Sequence, residues 1–246
     1  MKVNFIIAGA QKSGTSALRA ALYDHPELCF HEAKEVHFFD HEENFLSGRS
    51  VDYGLYHQNF PTPQTGQLVG DKTPSYLFFQ DVPRRLHEYN PELKIIILLR
   101  NPIDRAYSQY QMMLRNSGIT ETFMQRLLLE PELKARSAPR QSGQCVIERG
   151  LYSEQIERYL KYFPMQQLLI LRFDEFVSQA EKTLGRICQF LEIAPQKLAP
   201  PRKSQTPPIR EYPAMTTEER NYLQAQYKDE LVRLENLLGW DCSQWR

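Results

Sequence analysis

The chain has 246 residues, 41% of them hydrophobic, a size that suits one α/β domain over residues 1–246 with one sizeable core. Its 30 basic and 30 acidic residues cancel, so no global field selects nucleic acid or a membrane surface, and an anionic ligand must be met by a local cluster. Cys29, Cys145, Cys188 and Cys242 are scattered without a C-x-x-C pair or metal-ligand spacing, so no metal is expected on them and nothing requires an oxidising compartment. Cys29 and Cys188 lie in apolar runs and are expected as small core residues. The N-terminus enters the first strand without the n-region and h-region of a signal peptide, and no apolar run has membrane-spanning length. A soluble, cytoplasmic protein with no membrane segment is therefore expected.

In chain order, Val3–Ile7 is a short apolar run that reads as a strand, and Ser16–Asp24 carries apolar residues at helical spacing. Between them stands Gly9-Ala-Gln-Lys-Ser-Gly-Thr-Ser16. A Walker A loop reads G-x-x-x-x-G-K-[ST], with its lysine after the second glycine. Here Gly9 and Gly14 keep the glycine spacing, Thr15 takes the lysine's slot, and Lys12 sits inside the loop. Strand, loop and helix N-terminus together make an anion site, because unpaired N–H groups and the helix dipole converge there. The shifted lysine suits a nucleotide that transfers a group from its 5′-phosphate and not from a γ-phosphate. The plainer alternative is an ordinary glycine-containing β-α turn.

Leu28–Phe30 is strand-like and is followed by Glu35-Val-His-Phe-Phe39; residues 51–60 read as a short helix stopped by Pro61 and Pro63. Leu68-Val69-Gly70 leads into Asp71-Lys72-Thr73-Pro74, and a helix is expected over Val82–Tyr89. Leu93–Leu99 is a continuous branched run, which implies a strand buried on both faces as in a parallel sheet. Asn101 can cap the helix that follows, with Pro102 at its first position. Residues 131–146 lack periodicity and are expected to form a mobile flap. Leu151–Phe163 is amphipathic, Leu168–Phe173 a strand, Lys182–Leu191 a helix, and the proline-rich stretch 195–213 a loop. A last helix from about Thr216 to Leu238 carries Leu223, Tyr227, Leu231, Leu234 and Leu238 on one stripe. Strands alternating with helices predict a three-layer α/β/α fold with a mainly parallel central sheet.

In open parallel sheets ligands bind beyond the carboxyl ends of the strands. Four marked segments fall at such ends: Lys12–Ser16, Glu35–Asp40, Asp71–Thr73 and Arg100–Ser108. An arginine fork at Arg100 with the Ser108 hydroxyl suits a second phosphate; an ion pair of Arg100 with Asp104 or Asp40 is the structural alternative. Glu35 and His37, two apart, share a face if that segment is an extended strand, and a carboxylate beside an imidazole suits proton abstraction. Solvated charges at a strand end are the alternative.

In their order along the chain, Gln11-Lys-Ser-Gly-Thr-Ser-Ala-Leu18, Glu35-Val-His-Phe-Phe-Asp40, Asp71-Lys-Thr-Pro74 and Ile97-Leu-Leu-Arg-Asn-Pro-Ile-Asp-Arg-Ala-Tyr-Ser108 resemble PAPS-dependent sulfotransferases. Gly150–Leu160 and Arg210-Glu-Tyr-Pro213 extend the likeness, which is nearest the heparan sulfate 3-O- and N-sulfotransferase branch in the form of a bacterial-type soluble relative. The resemblance implies a P-loop-like sulfotransferase fold and 3′-phosphoadenosine 5′-phosphosulfate (PAPS) as donor, leaving PAP. It implies that Lys12, Ser13, Gly14, Thr15 and Ser16 hold the 5′-phosphosulfate, that Arg100 and Ser108 hold the 3′-phosphate, and that Arg210 belongs to a basic loop over the nucleotide. It makes Glu35 the catalytic base, with His37 and Asp40 on the acceptor side and Lys72 a second active-site lysine beside Lys12. The eukaryotic members carry a disulfide-closed hairpin and a Lys-Gly before that arginine; this chain reads Thr206-Pro-Pro-Ile-Arg210.

The function expected is in-line sulfuryl transfer from PAPS to a hydroxyl or amine, with a glycan as the expected acceptor and with the lysines supplying the charge that a metal would otherwise supply. Arg84, Arg85, Lys134, Arg136, Arg140, Arg202 and Lys203 form either a rim for an acidic glycan or a solvated surface. The alternatives are a P-loop kinase with a displaced lysine, against which Thr15 argues, and a nucleotide-binding module without turnover.

Overall fold

The apolar runs expected as strands form one five-stranded sheet in the computed structural model, which describes residues 1–46, 50–116, 118–136, 145–196 and 214–246, with the backbone alone for 133–136. The strands are β1 (Phe5–Gly9), β2 (Leu28–Phe30), β3 (Leu68–Lys72), β4 (Lys94–Leu99) and β5 (Leu168–Arg172). Their order is β2-β3-β1-β4-β5, and every pairing is parallel. All five residues of β1 are buried, as are the last five of β4, as a sheet covered on both faces requires. Helices flank this sheet, so the three-layer α/β/α reading holds.

The nine helices among the described residues are α1 (Thr15–Leu22), α2 (Tyr53–His57), α3 (Val82–Tyr89), α4 (Pro102–Asn116), α5 (Phe123–Arg136), α6 (Tyr152–Leu160), α7 (Phe173–Ser178), α8 (Ala180–Leu191) and α9 (Thr217–Leu238). The described residues divide into two compact units. One draws on Met1–Leu99 and Glu157–Gln205, the other on Arg100–Ile156 and Thr206–Arg246. In the first, Phe5, Ile7, Ile96, Leu98 and Leu171 project from one sheet face into a cluster with Leu18 and Leu22 of α1, Phe176 of α7, and Leu184, Ile187 and Leu191 of α8. Cys188 joins that cluster and Cys29 is buried, both as expected.

In the second unit, buried charges replace part of the apolar packing. Arg105 of α4 is fully buried and donates to Gln109 Oε1 at 2.7 Å and to the Val146 carbonyl. Glu130 of α5 accepts the N–H groups of Val146, Ile147 and Glu148 at 2.7–2.9 Å. Glu230 of α9 accepts both the N–H and the hydroxyl of Ser153. Buried ions are tolerated where they are well hydrogen-bonded, and these three hold residues of the 145–153 connection, largely by its own backbone. A capping box of Thr216 and Glu219 starts α9, as the sequence stripe predicted to within a residue.

Several expectations change. The stretch expected as a flap begins as helix: α5 runs through Pro131 to Arg136, and Cys145 and Val146 are buried. Residues 137–144 of that stretch lie outside the described residues; beyond them Glu130 accepts the amides of 146–148, which periodicity does not report. The short helix α7 was not anticipated. From residue 197 the expected proline-rich loop lies outside the described residues.

Two glycines of the first unit test the packing with opposite signs. A Cβ on Gly70 would stand 2.1 Å from Cζ of Phe5, a ring fixed in the core, so Gly70→Ala is expected to cost about 1–3 kcal/mol of overpacking. Gly185 lies inside α8 with nothing within 4 Å of its Cβ position, so Gly185→Ala is expected to add about 0.5–1 kcal/mol of helix stability. Denaturant midpoints read both. A neutral Gly70→Ala would mean that the Phe5 ring moves without cost.

Candidate active site

At the carboxyl edge of the sheet the loop after β1 is fastened on both sides. Ala10 N donates to the Leu98 carbonyl of β4 at 2.9 Å, and Leu77 N donates to the Ala8 carbonyl at 2.8 Å. Within the loop Lys12 (φ 70°) and Gly14 (φ 90°) both take left-handed backbone. Gly14 is the N-cap of α1 and supplies no side-chain cap, and a Cβ there would lie 2.6 Å from the Phe173 ring. The N–H groups of the first turn, from Thr15 on, therefore point outward without side-chain competition, as a bound anion requires. Ser13 Oγ and Gln11 Oε1 are buried with no hydrogen-bond partner among the described residues. Thr15 is buried, Lys12 is half-buried and Ser16 is exposed.

Two strands away, the loop after β2 brings carboxylates against the end of β3. Lys72, 1% exposed, donates from Nζ to Glu35 Oε1 at 3.0 Å. The other carboxylate oxygen, Oε2, is 3.1 Å from Nε2 of His37, whose Nδ1 is 2.8 Å from Asp40 Oδ2. Ser75 donates to the same Asp40 oxygen at 2.6 Å. The four ionisable groups thus alternate in sign along one line: Lys72, Glu35, His37, Asp40.

This alternation decides the protonation states. Burial alone would raise the Glu35 carboxyl, but the hydrogen bond from His37 and the charge and hydrogen bond of Lys72 outweigh it and push its pKa down to about 2. Hydrogen bonds to Asp40 and Glu35 outweigh the burial of His37 and raise its pKa to about 10, so its ring is an imidazolium. Burial lowers the Lys72 ammonium, and Glu35 resists that shift.

Glu35 and His37 do meet, but not as neighbours on an extended strand. His37 has φ 55°, a left-handed backbone that a non-glycine residue adopts at some cost, and this turn folds its ring back onto Glu35. The turn is held from below. Val36 N donates to Thr73 Oγ1 at 3.1 Å, and Thr73 Oγ1 donates to Asp71 Oδ1 at 2.8 Å. Asp71, fully buried, also accepts from Tyr56 at 2.9 Å, and Lys72 N donates to His31 Nε2 at 3.1 Å. Sequence reasoning marked Asp71–Thr73 as a segment but gave these supporting roles neither to Asp71 and Thr73 nor to His31 and Ser75. The run from Asp71 to Ser75 places four polar side chains, Asp71, Lys72, Thr73 and Ser75, at or just past one strand end, which was the available signal.

The remaining sequence candidates fall elsewhere. Arg100 directly follows β4 and belongs with Ser108, half-buried on α4, to the second unit. Asn101 caps α4 as expected, its Oδ1 accepting from Ile103 N at 2.9 Å. Asp104, a possible partner of Arg100, lies 3.4 Å from Arg220. Arg210 lies outside the described residues, as do Arg140, Arg202 and Lys203. Arg85 is no rim residue: it is buried and donates to the Phe39 carbonyl and to Glu42. Among the described residues no helix is long and apolar enough to cross a membrane.

Comparison with known proteins adds an independent line. The family model described as "Sulfotransferase domain" matches residues 2–224. Human heparan sulfate glucosamine 3-O-sulfotransferase 5 is 29% identical over 194 residues, covering 78% of this chain and 54% of its own. Human bifunctional heparan sulfate N-deacetylase/N-sulfotransferase 3 is 30% identical over 269 residues, covering 95% of this chain and 29% of its own. The chain thus spans about half, or less, of the curated relatives it matches. A crystal structure of a sulfotransferase from Alicyclobacillus acidocaldarius superposes with a TM-score of 0.85 at 29% identity, covering 100% of this chain and 99% of that one. With a family match through both structural units and a full-length structural likeness, the chain belongs to the sulfotransferase-domain family.

Proposed function

We propose that the chain moves a sulfuryl group from PAPS to a hydroxyl or amine of a carbohydrate acceptor, acting over residues 1–246 as one functional domain. The observation that carries this reading is the Glu35 carboxylate. It is 21% exposed and is held between a buried lysine and an imidazolium, two strands from an anion-binding loop. A nucleotide module without turnover has no use for such a group.

The loop fits the donor on its own chemistry. Outward N–H groups at the start of α1, the unspent Ser13 hydroxyl and the Lys12 charge are donors and cations only, which is what a 5′-phosphosulfate needs. Lys12 through Ser16 are the proposed holders of that group; Arg100 and Ser108 are proposed for the 3′-phosphate and Arg210 for the covering loop, on the family resemblance. PAPS, when bound, supplies an activated sulfuryl group on its 5′-phosphate. Lys12, Lys72 and the loop N–H groups stabilise negative charge at the donor side, and they do so preorganised, without reorientation of water. The carbohydrate acceptor follows the names of the heparan sulfate relatives.

Glu35 takes the acceptor proton. A carboxylate near pKa 2 is always ionised at neutral pH but is a weak base, and base strength matters when the proton moves. Lys72 reconciles these demands. When it turns its ammonium toward an anion in the loop, Glu35 keeps the His37 hydrogen bond that lowers it most but loses the Lys72 pairing, and gains basicity. The clamp that keeps Glu35 ionised in the empty site thus weakens when the donor side is filled.

Glu35→Gln is expected to lower sulfuryl transfer by about 10²- to 10⁴-fold while leaving PAP binding intact in calorimetry. Near-normal turnover removes Glu35 from the role of base. The same calorimetry separates the kinase alternative, since tight ATP binding with none for PAP would support it.

A second expectation concerns pH. The raised His37 value means that its stabilising contribution is complete below pH 6.5 and is lost as pH climbs toward about 10. The depressed Glu35 value acts oppositely, being complete above pH 4.5 and lost as pH falls toward about 2. The stability difference between wild type and His37→Gln should therefore shrink from pH 6.5 to 10. Denaturant midpoints over that range measure it, and a constant difference contradicts the imidazolium assignment.

A further inference from the structure

We propose that His37, Asp40 and His41 form a binding site for one transition-metal ion of the zinc class, with Glu35 as the outer carboxylate that orients His37. Each of the three offers a ligand atom, and these atoms all lie within 4.8 Å of one another. Tetrahedral zinc with bonds of about 2.0–2.2 Å needs its ligand atoms roughly 3.3 Å apart, so a small closure completes the site. His41 can supply that closure, because its side chain is 53% exposed and its ring lies nearly parallel to that of His37, 6.1 Å between centroids.

Two further features point to a cation. A metal-bound histidine commonly passes its other ring N–H to a carboxylate, which fixes the tautomer. His37 is already arranged so, with Nε2 3.1 Å from Glu35 Oε2 and Nδ1 turned to Asp40. Asp40, 5% exposed, also has an unspent acceptor: Oδ2 serves Ser75 and His37, whereas Oδ1 is buried with no hydrogen-bond partner among the described residues. The metal takes the place of the proton between His37 Nδ1 and Asp40, and that proton leaves to solvent. Two imidazoles and one carboxylate select zinc-like ions over magnesium or calcium, which prefer all-oxygen shells. Three protein ligands leave the fourth position to water.

Occupancy fixes His37 in place and draws on Glu35, so the bound ion inhibits transfer. That consequence rests on the reading of Glu35 and His37 as transfer machinery; the binding itself does not.

The test uses the untagged full chain and zinc chloride in isothermal calorimetry, with magnesium chloride as control. One saturable zinc equivalent is expected, magnesium should be silent, and His41→Ala should weaken zinc by at least about tenfold. His41 is exposed, so the variant should keep its thermal midpoint, and its metal-free turnover should match wild type. In wild type, zinc should lower PAP release from PAPS and EDTA should restore it; His41→Ala should resist. Absence of saturable zinc binding, or equal affinity in His41→Ala, overturns the site. Zinc binding with turnover fully retained keeps the site and overturns the assignment of Glu35 and His37 to transfer.

Discussion

Asp71 is the constraint on which the first unit's chemistry depends. A carboxylate with no exposed surface must have its oxygens engaged, and Thr73 and Tyr56 supply hydroxyls to the two of them. Thr73 is thereby oriented so that its oxygen faces Val36 N, the amide between Glu35 and His37. One residue along β3, Lys72 leaves the same strand end toward Glu35. A buried acid thus braces the turn that carries the proposed base from the same strand end that carries its lysine. Loss of the Asp71 charge would free a hydroxyl, then an amide, then the turn that presents Glu35.

The line of alternating charge solves a problem that a lone carboxylate would not. A half-buried glutamate drifts toward its neutral form, in which it can accept no proton. Lys72 and His37 reverse that drift, and Asp40 keeps His37 charged in turn. Lys72 is 1% exposed, and Glu35 is the carboxylate its ammonium meets. In the proposed reaction, competition between Glu35 and a bound anion for Lys72 would tie the donor side to the strength of the base.

Much of this was legible in the sequence where one local rule sufficed. Leu93–Leu99 announced a doubly buried strand, Asn101-Pro102 a capped helix start, and Gly9–Ser16 a glycine loop between strand and helix, because each depends on residues within a turn of one another. The sheet-edge placement of Glu35, Lys72 and the loop followed from the strand-end rule. What escaped depended on contacts distant in sequence. Periodicity cannot report that Glu130 would tie α5 to the 146–148 amides, so 131–136 read as irregular. Strand alternation cannot foresee the left-handed turn at His37, nor that Arg85 would be spent on the Phe39 carbonyl inside the unit.

The displaced lysine can now be weighed against the lysine that a Walker loop would have. In that loop the charge stands on the first helical turn; here the position is Thr15, buried at 3%, and the charge has moved before the helix to a left-handed residue. Gly14 makes the move possible, since its own left-handed φ and the Phe173 ring against it exclude any side chain there. The register pairs Ile7 with Lys72, so β1 and β3 end side by side, and each delivers a lysine to the same sheet edge. Lys12 stands in the loop after β1 and Lys72 at the end of the adjacent β3, and the proposed 5′-phosphosulfate site draws on both. The shift of the cation by three positions, from 15 to 12, is thus accompanied by a glycine that no side chain could replace without strain.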